Sequence, residues 1–381
     1  MNEFIIPMVF LGLVIIFFTA ISYILFKQVL ARIKMKKNNV KSSSSQMSSN
    51  NKQGAQDAHK HIFEDKEIKL ESDQATEPYR FYTEIRSEEA TLYLAPRTVL
   101  AEKYLIEKVV GQGGFGITYL ARDINLNLKL AVKEYFPQGL VSRVPGQSKV
   151  VSYTRTSKSQ FAFGLERFLN EAKTLARFEH NPNIVSVRDF FKANGTAYMV
   201  MSYIDGLTLE EYLHRNGGMI SFAKLLYIMT PVMDALRDIH EFGVMHRDVS
   251  PDNIFIDNRG RVFLIDFGAA RQEMRKISKS LSVILKAGYA PEEQYRSRGE
   301  QGSWTDVYAV AATMYRALTG RIPPESLDRL AEDNLVPPSV FGAEIKPDQE
   351  QALLKAMAVR VKDRYQTVEE FQRSLNDFKI N

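Results

Sequence analysis

The chain of 381 residues contains no cysteine. This absence excludes disulfides, thiolate metal sites and a cysteine nucleophile, and it fits a reducing compartment. The sequence also has no strong excess of charge of one sign, since 50 Lys and Arg residues against 45 Asp and Glu residues leave a net charge of +5. So small a net charge does not indicate a nucleic-acid partner. No internal repeat is visible, and we expect no sensor domain after the last predicted helix.

Charged residues are absent from residues 4–26, which are rich in Ile, Leu, Val and Phe. At about 1.5 Å per residue this run can cross a hydrocarbon core of about 30 Å, so we predict a transmembrane helix; a buried core helix is the alternative. A cleaved signal peptide would carry its positive charges first. Here only Glu3 and the terminal amine precede the run, and five basic residues follow it at positions 27–37. The positive-inside rule then predicts a single-pass protein of the cell membrane, with its N-terminus outside and the rest cytoplasmic.

Residues 27–95 are predicted to form a basic juxtamembrane segment and a flexible linker. Between residues 38 and 73 the composition shifts to Ser, Asn, Gln and Lys, with few apolar residues to bury. Aromatic and apolar residues return between residues 75 and 96. That stretch is either an extended arm laid on the following domain or more linker, and the sequence leaves both open.

A glycine-rich motif follows a short apolar run that starts at Tyr104. It fits the spacing G-x-G-x-x-G at residues 111–116, and glycines let the backbone approach nucleotide phosphates closely. Dinucleotide-binding folds share this spacing, but there a helix follows the loop. Here residues 117–121 read as a strand, and a second strand ends at Lys133. The flanks therefore favour a phosphate loop between two strands.

The motifs with the most chemical content are H-R-D-V-S-P-D-N at residues 246–253 and D-F-G at residues 266–268. They supply a carboxylate base and two metal-binding side chains at the spacing used for phosphoryl transfer. With the glycine-rich loop and Lys133 in this order, residues 100–377 resemble a eukaryotic-like (Hanks-type) protein kinase. The details are most similar to the bacterial membrane-attached serine/threonine kinases.

The resemblance implies an α+β fold with two lobes, a small β-rich lobe at residues 100–201 and a large α-helical lobe at residues 207–377. It implies ATP as cosubstrate and proteins as substrates. Asp248 would accept the proton of the substrate hydroxyl, and Asn253 and Asp266 would hold Mg²⁺, with Mn²⁺ as the alternative metal.

The resemblance also implies which residues contact the nucleotide. Lys133 would contact the α- and β-phosphates and be held by a glutamate of the next long helix, predicted at residues 163–178. We choose Glu171 as that partner, with Glu166 as the alternative. The long segment between Lys133 and residue 160 predicts a hairpin or loop insertion. The full set expected around ATP is Gly111, Gly113, Gly114, Gly116, Thr118, Ala131, Lys133, Ser202 and Ile204, with Met201 as the gatekeeper.

Further residues are implied to support the site. His246 and Phe267 would belong to a packed spine, and Asp306 would brace the catalytic loop from the core of the large lobe. Ala290-Pro291-Glu292 matches the family's A-P-E triplet, whose glutamate should pair with Arg364.

Two departures from the family pattern fall at Ser250 and Lys286. Serine/threonine kinases usually carry Lys two residues after the base, where this chain has Ser250. If Tyr289 is aligned with the family tyrosine, Lys286 replaces a Thr that touches the base and that Lys, so the two positions should be neighbours. We hypothesise an exchanged pair, in which Lys286 supplies the cation for the γ-phosphate and Ser250 the hydroxyl. A solvated loop lysine is the alternative.

Arg247 indicates a pocket that could bind a phosphate on the activation segment. Candidate acceptors set among basic residues are Ser278, Ser280 and Ser282, and a merely polar loop is the alternative.

Three classes of function follow from these motifs. An active membrane-tethered serine/threonine kinase that autophosphorylates is the first, and a nucleotide-binding pseudokinase that scaffolds partners is the second, motivated by Ser250. A small-molecule phosphotransferase is disfavoured by Asp306, Arg364 and the A-P-E triplet. A tyrosine kinase would normally carry Arg at the position of Asp252. The sequence leaves open the protein substrate, the input signal and the oligomeric state, including a homodimer.

Overall fold

The computed structural model describes residues 92–267, 285–296 and 299–376. Within them a lobe of antiparallel strands is followed by a lobe of helices, which confirms the predicted two-lobed α+β fold. None of the helices in these three ranges is long and apolar enough to cross a bilayer. The predicted membrane helix and the linker up to residue 91 lie outside the described residues.

The small lobe is built on strands whose side chains alternate between the two faces of a sheet. In chain order these strands are β1 (Val99–Leu100), β2 (Tyr104–Gly113), β3 (Gly116–Asp123), β4 (Lys129–Tyr135), β5 (Val141–Arg143), β6 (Val150–Ser152), β7 (Val187–Ala193) and β8 (Thr196–Ser202). Six of them form one sheet in the order β1-β2-β3-β4-β8-β7, and β5 pairs only with β6. The sheet places β4, which carries Lys133, between β3 and β8.

The predicted insertion between Lys133 and the long helix is confirmed as the β5–β6 hairpin. The helix that follows, α1 (Arg155–Ala176), begins earlier than the predicted residue 163. It starts there because the Thr154 hydroxyl caps it, accepting the backbone N–H of Ser157 at 3.0 Å. The buried face of α1 packs on β4, where the Tyr135 ring lies 5.2 Å from Phe161 and 5.5 Å from Phe168.

The large lobe is mostly helical. Its helices are α2 (Leu209–Arg215), α3 (Phe222–Glu241), α4 (Glu292–Tyr295), α5 (Ser303–Thr319), α6 (Ser326–Ala331), α7 (Pro347–Ala356) and α8 (Val368–Asn376). Short 3-10 turns lie at Pro251–Asn253, Pro338–Phe341 and Val361–Asp363. Helix α5 is buried on nearly every face, which makes it the core helix of this lobe.

A small sheet next to the lobe boundary positions the site. Strands β9 (Gly206–Thr208), β10 (Ile254–Asp257) and β11 (Val262–Leu264) form it in the order β11-β10-β9. Leu264 donates its N–H to the Asn183 carbonyl at 2.7 Å and accepts the N–H of Val185 at 3.2 Å. These bonds tie the segment after α1 to β11, which leads directly into Asp266.

Candidate active site

Asp306 of α5 holds the catalytic loop, residues 246–253. Its carboxylate accepts the backbone N–H of His246 at 2.9 Å and that of Arg247 at 2.7 Å, and it lies 2.7 Å from His240 Nε2. Burial acts to raise the pKa of Asp306, but the hydrogen bond and charge of His240 outweigh it, so the pKa is lowered. The ionised carboxylate thereby stabilises Arg247, whose φ of 67° is unusual for a residue other than glycine. The predicted bracing by Asp306 is confirmed.

Asp248 and Asn253 meet at the end of this loop. The Asn253 amide donates to Asp248 Oδ2 at 2.8 Å and to the Asp248 carbonyl at 2.6 Å. The Asp248 N–H in turn donates to His246 Nδ1 at 3.2 Å. Because the Asn253 nitrogen faces Asp248, its amide oxygen is the atom presented to a cation.

Lys133 and Asp266 form an ion pair between the lobes. Lys133 Nζ lies 2.5 Å from Asp266 Oδ1. Asp266 follows β11 and adopts a φ of 54°, a left-handed turn that is uncommon outside glycine. At this turn the aspartate carboxylate meets the lysine of β4.

The predicted pairing of Lys133 with Glu171 stays a prediction, because the contact that the structure gives for Lys133 is with Asp266. Glu171 lies in α1 and is only 7% exposed, but the lysine contacts Asp266 because the turn after β11 brings that carboxylate to it. The alternative partner, Glu166, forms an exposed ion pair with Lys192 at 2.5 Å, and the hydrogen bond from Lys192 lowers the pKa of Glu166. Kinases need the lysine–glutamate pair in place for transfer, so Glu171 remains the predicted partner of Lys133.

His246 and Phe267 pack together between the catalytic loop and the D-F-G segment. Their ring centroids are 4.5 Å apart, and His246 Nε2 lies 2.9 Å from the Ile265 carbonyl. Burial lowers the pKa of His246, which favours the neutral ring. The contact agrees with the predicted packed spine.

The glycine-rich loop joins β2 to β3, and the segment after β4 holds it. The N–H groups of Phe136 and Gln138 donate to the carbonyls of Phe115 and Gly114, both at 2.9 Å. At Gly116 a Cβ would lie 2.5 Å from a backbone oxygen of β4, whereas Cβ atoms at Gly113 and Gly114 would meet nothing within 4 Å. The tip of the loop therefore leaves room for a ligand.

The other predicted nucleotide contacts lie on the same sheet. Thr118 is opposite both Gly111 and Lys133, and Ala131 is opposite Met201. Ser202 ends β8, and Ile204 follows it half-buried against the core. The register thus gathers the residues predicted around ATP at one end of the small lobe.

Lys286 lies beside the catalytic loop. Its Nζ is 3.0 Å from the Ser250 hydroxyl and forms an ion pair with Asp252. Ser250 is fully buried. Burial lowers the pKa of Lys286, against the opposing effect of the Asp248 and Glu210 carboxylates. The prediction that Ser250 and Lys286 are neighbours is confirmed, and their exchange of roles stays a prediction.

The predicted pairing of Arg364 with Glu292 is wrong by one residue. Arg364 Nη1 lies 2.9 Å from Glu293 Oε1, and both side chains are buried. Glu292 instead pairs with the exposed Arg296 at 2.5 Å. Helix α4 explains the difference, because consecutive residues of a helix point about 100° apart and only Glu293 faces the buried arginine.

Several residues of the site region were not found by sequence reasoning. Asp252 of the catalytic loop pairs with Lys286, His240 contacts Asp306, and Glu134 of β4 forms a buried pair with Arg143. An ion-pair partner distant in sequence leaves no local signal. Other predictions fall outside the described residues, namely those on Gly268, Ser278, Ser280 and Ser282.

A family model described as the protein kinase domain matches residues 104–337. The chain belongs to the protein kinase family. Over 283 residues the kinase is 31% identical to the serine/threonine-protein kinase PrkC of Bacillus subtilis (strain 168), a match that covers 72% of this chain and 40% of PrkC. Over 291 residues it is 33% identical to the serine/threonine-protein kinase PknB of Mycolicibacterium smegmatis, covering 72% of this chain and 43% of PknB. It thus spans less than half the length of these Hanks-type bacterial relatives.

Solved structures show the same fold. The kinase is similar to the structure described as the PpkA-294 apo form, with a TM-score of 0.69, 34% identity, and coverage of 75% of this chain and 100% of that one. It also resembles the kinase domain of M. tuberculosis PknI, with a TM-score of 0.55, 25% identity, and coverage of 75% and 98%.

Proposed function

We propose that this protein is a membrane-tethered kinase that transfers the γ-phosphate of ATP to serine and threonine hydroxyls of proteins, including its own. One observation carries the proposal: Asp248 and Asn253 are in direct hydrogen-bond contact, 2.8 Å apart, in a chain that matches the protein kinase domain. The relatives named above, both serine/threonine-protein kinases, support the choice of acceptor.

In the proposed reaction Asp248 is the general base. Its carboxylate is oriented by the Asn253 amide and accepts the proton of the substrate hydroxyl. The hydroxyl oxygen forms a bond to the γ-phosphorus, and the bond from that phosphorus to the β,γ-bridging oxygen breaks. Most of the catalysis then comes from positioning and from charge stabilisation.

The donor atoms fit Mg²⁺, since the amide oxygen of Asn253 and the carboxylate of Asp266 are the hard oxygen ligands that this ion prefers. Mn²⁺ accepts the same ligands. Asn253 and Asp266 would hold the metal, which would supply positive charge to neutralise the phosphates. In the structure Asp266 is paired with Lys133.

Lys286 is the proposed cation for the transferring group. The family places a lysine two residues after the base, and here Lys286 reaches that place from the activation segment, 3.0 Å from Ser250 Oγ. Gly288 permits this turn, because it has a φ of +83° and a Cβ there would lie 2.6 Å from the Pro323 carbonyl oxygen. The Asp252 carboxylate holds the ammonium group beside the base.

The test of transfer is incorporation of radiolabelled phosphate from ATP by the full chain in detergent or bilayer nanodiscs. We expect autophosphorylation on serine or threonine, and its loss in Asp248→Asn with Mg·ATP binding retained. Equal labelling of wild type and Asp248→Asn would contradict the proposal.

A nucleotide-binding pseudokinase is the second candidate. The observation that favours it is the buried Ser250, which stands where the family usually carries a lysine. Binding of Mg·ATP by the wild type without any transfer would select this function.

We further propose that residues 4–26 anchor the kinase in the membrane, with the catalytic domain in the cytoplasm. The uncharged run and the basic residues that follow it support this. The expected result is that the full chain sediments with membranes through alkaline washing, and that protease added to the outside of intact cells leaves the kinase domain uncut. Release by the alkaline wash would contradict the anchor.

A further inference from the structure

Glu134 and Arg143 form an ion pair inside the small lobe, with both side chains 0% exposed. Glu134 directly follows Lys133 on β4, so the two side chains point to opposite faces of the sheet. Burying two charges is unfavourable unless further hydrogen bonds satisfy them. The hydrogen-bond partners of this pair therefore show which segments of the small lobe it fixes in place.

Two tyrosines complete the surroundings of Glu134. The Tyr198 hydroxyl donates to Oε1 and the Tyr119 hydroxyl to Oε2, both at 2.8 Å. Tyr198 lies directly opposite Glu134 across the β4–β8 pair, and Tyr119 lies on β3. Burial and the nearby Glu134 charge raise the pKa of both tyrosines, so both stay protonated as donors.

The same network holds the N-terminal arm, which we define as residues 92–100. Arg143 Nη1 donates to the Leu92 carbonyl at 2.6 Å, and Nε donates to the Ser148 carbonyl at 3.0 Å. The Leu94 N–H donates to the Tyr119 hydroxyl at 3.2 Å, and the Leu94 side chain is 3% exposed. The arm thus packs on the outer face of the sheet.

The arm also contacts the glycine-rich loop directly. The Tyr93 hydroxyl donates to the side-chain oxygen of Gln112, which lies between Gly111 and Gly113. The arm therefore reaches the nucleotide site at two places, the glycine-rich loop through Tyr93 and the strand of Lys133 through Arg143 and Glu134.

We propose that the N-terminal arm and the Glu134–Arg143 pair position the ATP site, by fixing the glycine-rich loop and β4 without contacting the nucleotide. The inference rests on the proposed function only in taking ATP as the ligand. The arm includes residues 92–95, the end of the predicted linker, so it joins the preceding part of the chain to the elements that hold the ATP site.

The test uses the full chain with Tyr93→Phe and Arg143→Lys, and Tyr153→Phe as the matched control, since Tyr153 is a tyrosine of the same lobe that is 59% exposed. Mg·ATP affinity is measured by calorimetry, kcat and KM by phosphate transfer, and Tm by thermal unfolding. One net hydrogen bond corresponds to a change of about threefold to tenfold. We expect Tyr93→Phe to raise Kd and KM by that factor while kcat stays within about twofold and the control matches wild type.

Two further measurements separate positioning from simple stabilisation. If the contact carries the effect, Tyr93→Phe and Gln112→Ala are less than additive on Kd when combined. A lower Tm in Arg143→Lys with unchanged Kd in Tyr93→Phe would overturn the inference. If no variant transfers phosphate but Kd still rises in Tyr93→Phe, the inference stands and the proposed kinase activity fails.

Discussion

Exchanging residues 250 and 286 tests which of the two positions supplies the proposed cation for the γ-phosphate. Lys286→Thr removes the ammonium group that lies 3.0 Å from Ser250 Oγ. Ser250→Lys adds one at the position the family normally uses. The double variant Ser250→Lys/Lys286→Thr restores the usual family arrangement, with lysine after the base and threonine on the activation segment.

The size of the effect follows from the geometry. A unit charge about 4 Å from a phosphoryl group is worth about 4 kcal/mol at an effective dielectric constant of about 20. Only part of that acts in the transition state, and loss of one such stabilising group costs about 100-fold to 1,000-fold in kcat. We expect the kcat of Lys286→Thr to fall by this factor. The kcat of the double variant should recover to within about tenfold of the wild-type value. In Ser250→Lys alone, two ammonium groups are forced together at a buried position, so we expect it to lose activity as well.

The assay is the initial rate of phosphate transfer to a generic protein substrate at saturating Mg·ATP, with nucleotide binding measured in parallel to show that each variant is folded. Asp248→Asn gives the background rate. A rate for Lys286→Thr within a few-fold of wild type would refute the exchange. A double variant that is no faster than Lys286→Thr, while both variants still bind nucleotide, would also refute the exchange.

Three further outcomes are expected. Arg364→Met leaves the buried Glu293 carboxylate unpaired and should lower the free energy of unfolding in urea by about 3–5 kcal/mol; a loss below about 1 kcal/mol would contradict the pairing. Because burial lowers the pKa of Lys286 from its ordinary 10.5, its charge is lost as pH rises through that lowered pKa. The wild-type transfer rate should therefore fall at alkaline pH, and Lys286→Arg should move this fall to higher pH. Identical pH profiles for the two proteins would contradict a role for the Lys286 charge. Glu171→Gln should lower kcat/KM by about tenfold or more, because transfer needs the lysine–glutamate pair, whereas the exposed Glu166→Gln should stay within about twofold in the same assay.

The contact between the two loop residues proposed for catalysis could be predicted from the sequence, because both belong to one short motif. Asp248 and Asn253 are five positions apart on one loop, and they contact each other within it. The neighbouring positions of Ser250 and Lys286 could also be predicted, since two departures from one family pattern point to the same place.

Most of the errors originate in tertiary contacts, and the start of α1 depends on a local cap. Glu292 and Glu293 are adjacent and chemically identical, and only the position of Arg364 in the folded chain selects Glu293. The start of α1 was missed because Thr154 lies in a polar stretch that reads as loop. Arg143 lies in the same kind of stretch, and its burial depends on Glu134 and the arm.

Strand β4 carries both Lys133 of the proposed ATP site and Glu134 of the buried ion pair. Lys133 points to the cleft and Glu134 to the outer face, and β4 is paired on both sides by β3 and β8. Because Lys133 and Glu134 are consecutive on this strand, we expect a change in the Glu134–Arg143 pair to shift the Lys133 ammonium group as well. That group contacts Asp266 in the structure, and transfer in the family also requires its pairing with a glutamate of the following helix. The proposed positioning by the arm therefore reaches Lys133 through β4, and it reaches the glycine-rich loop through Tyr93.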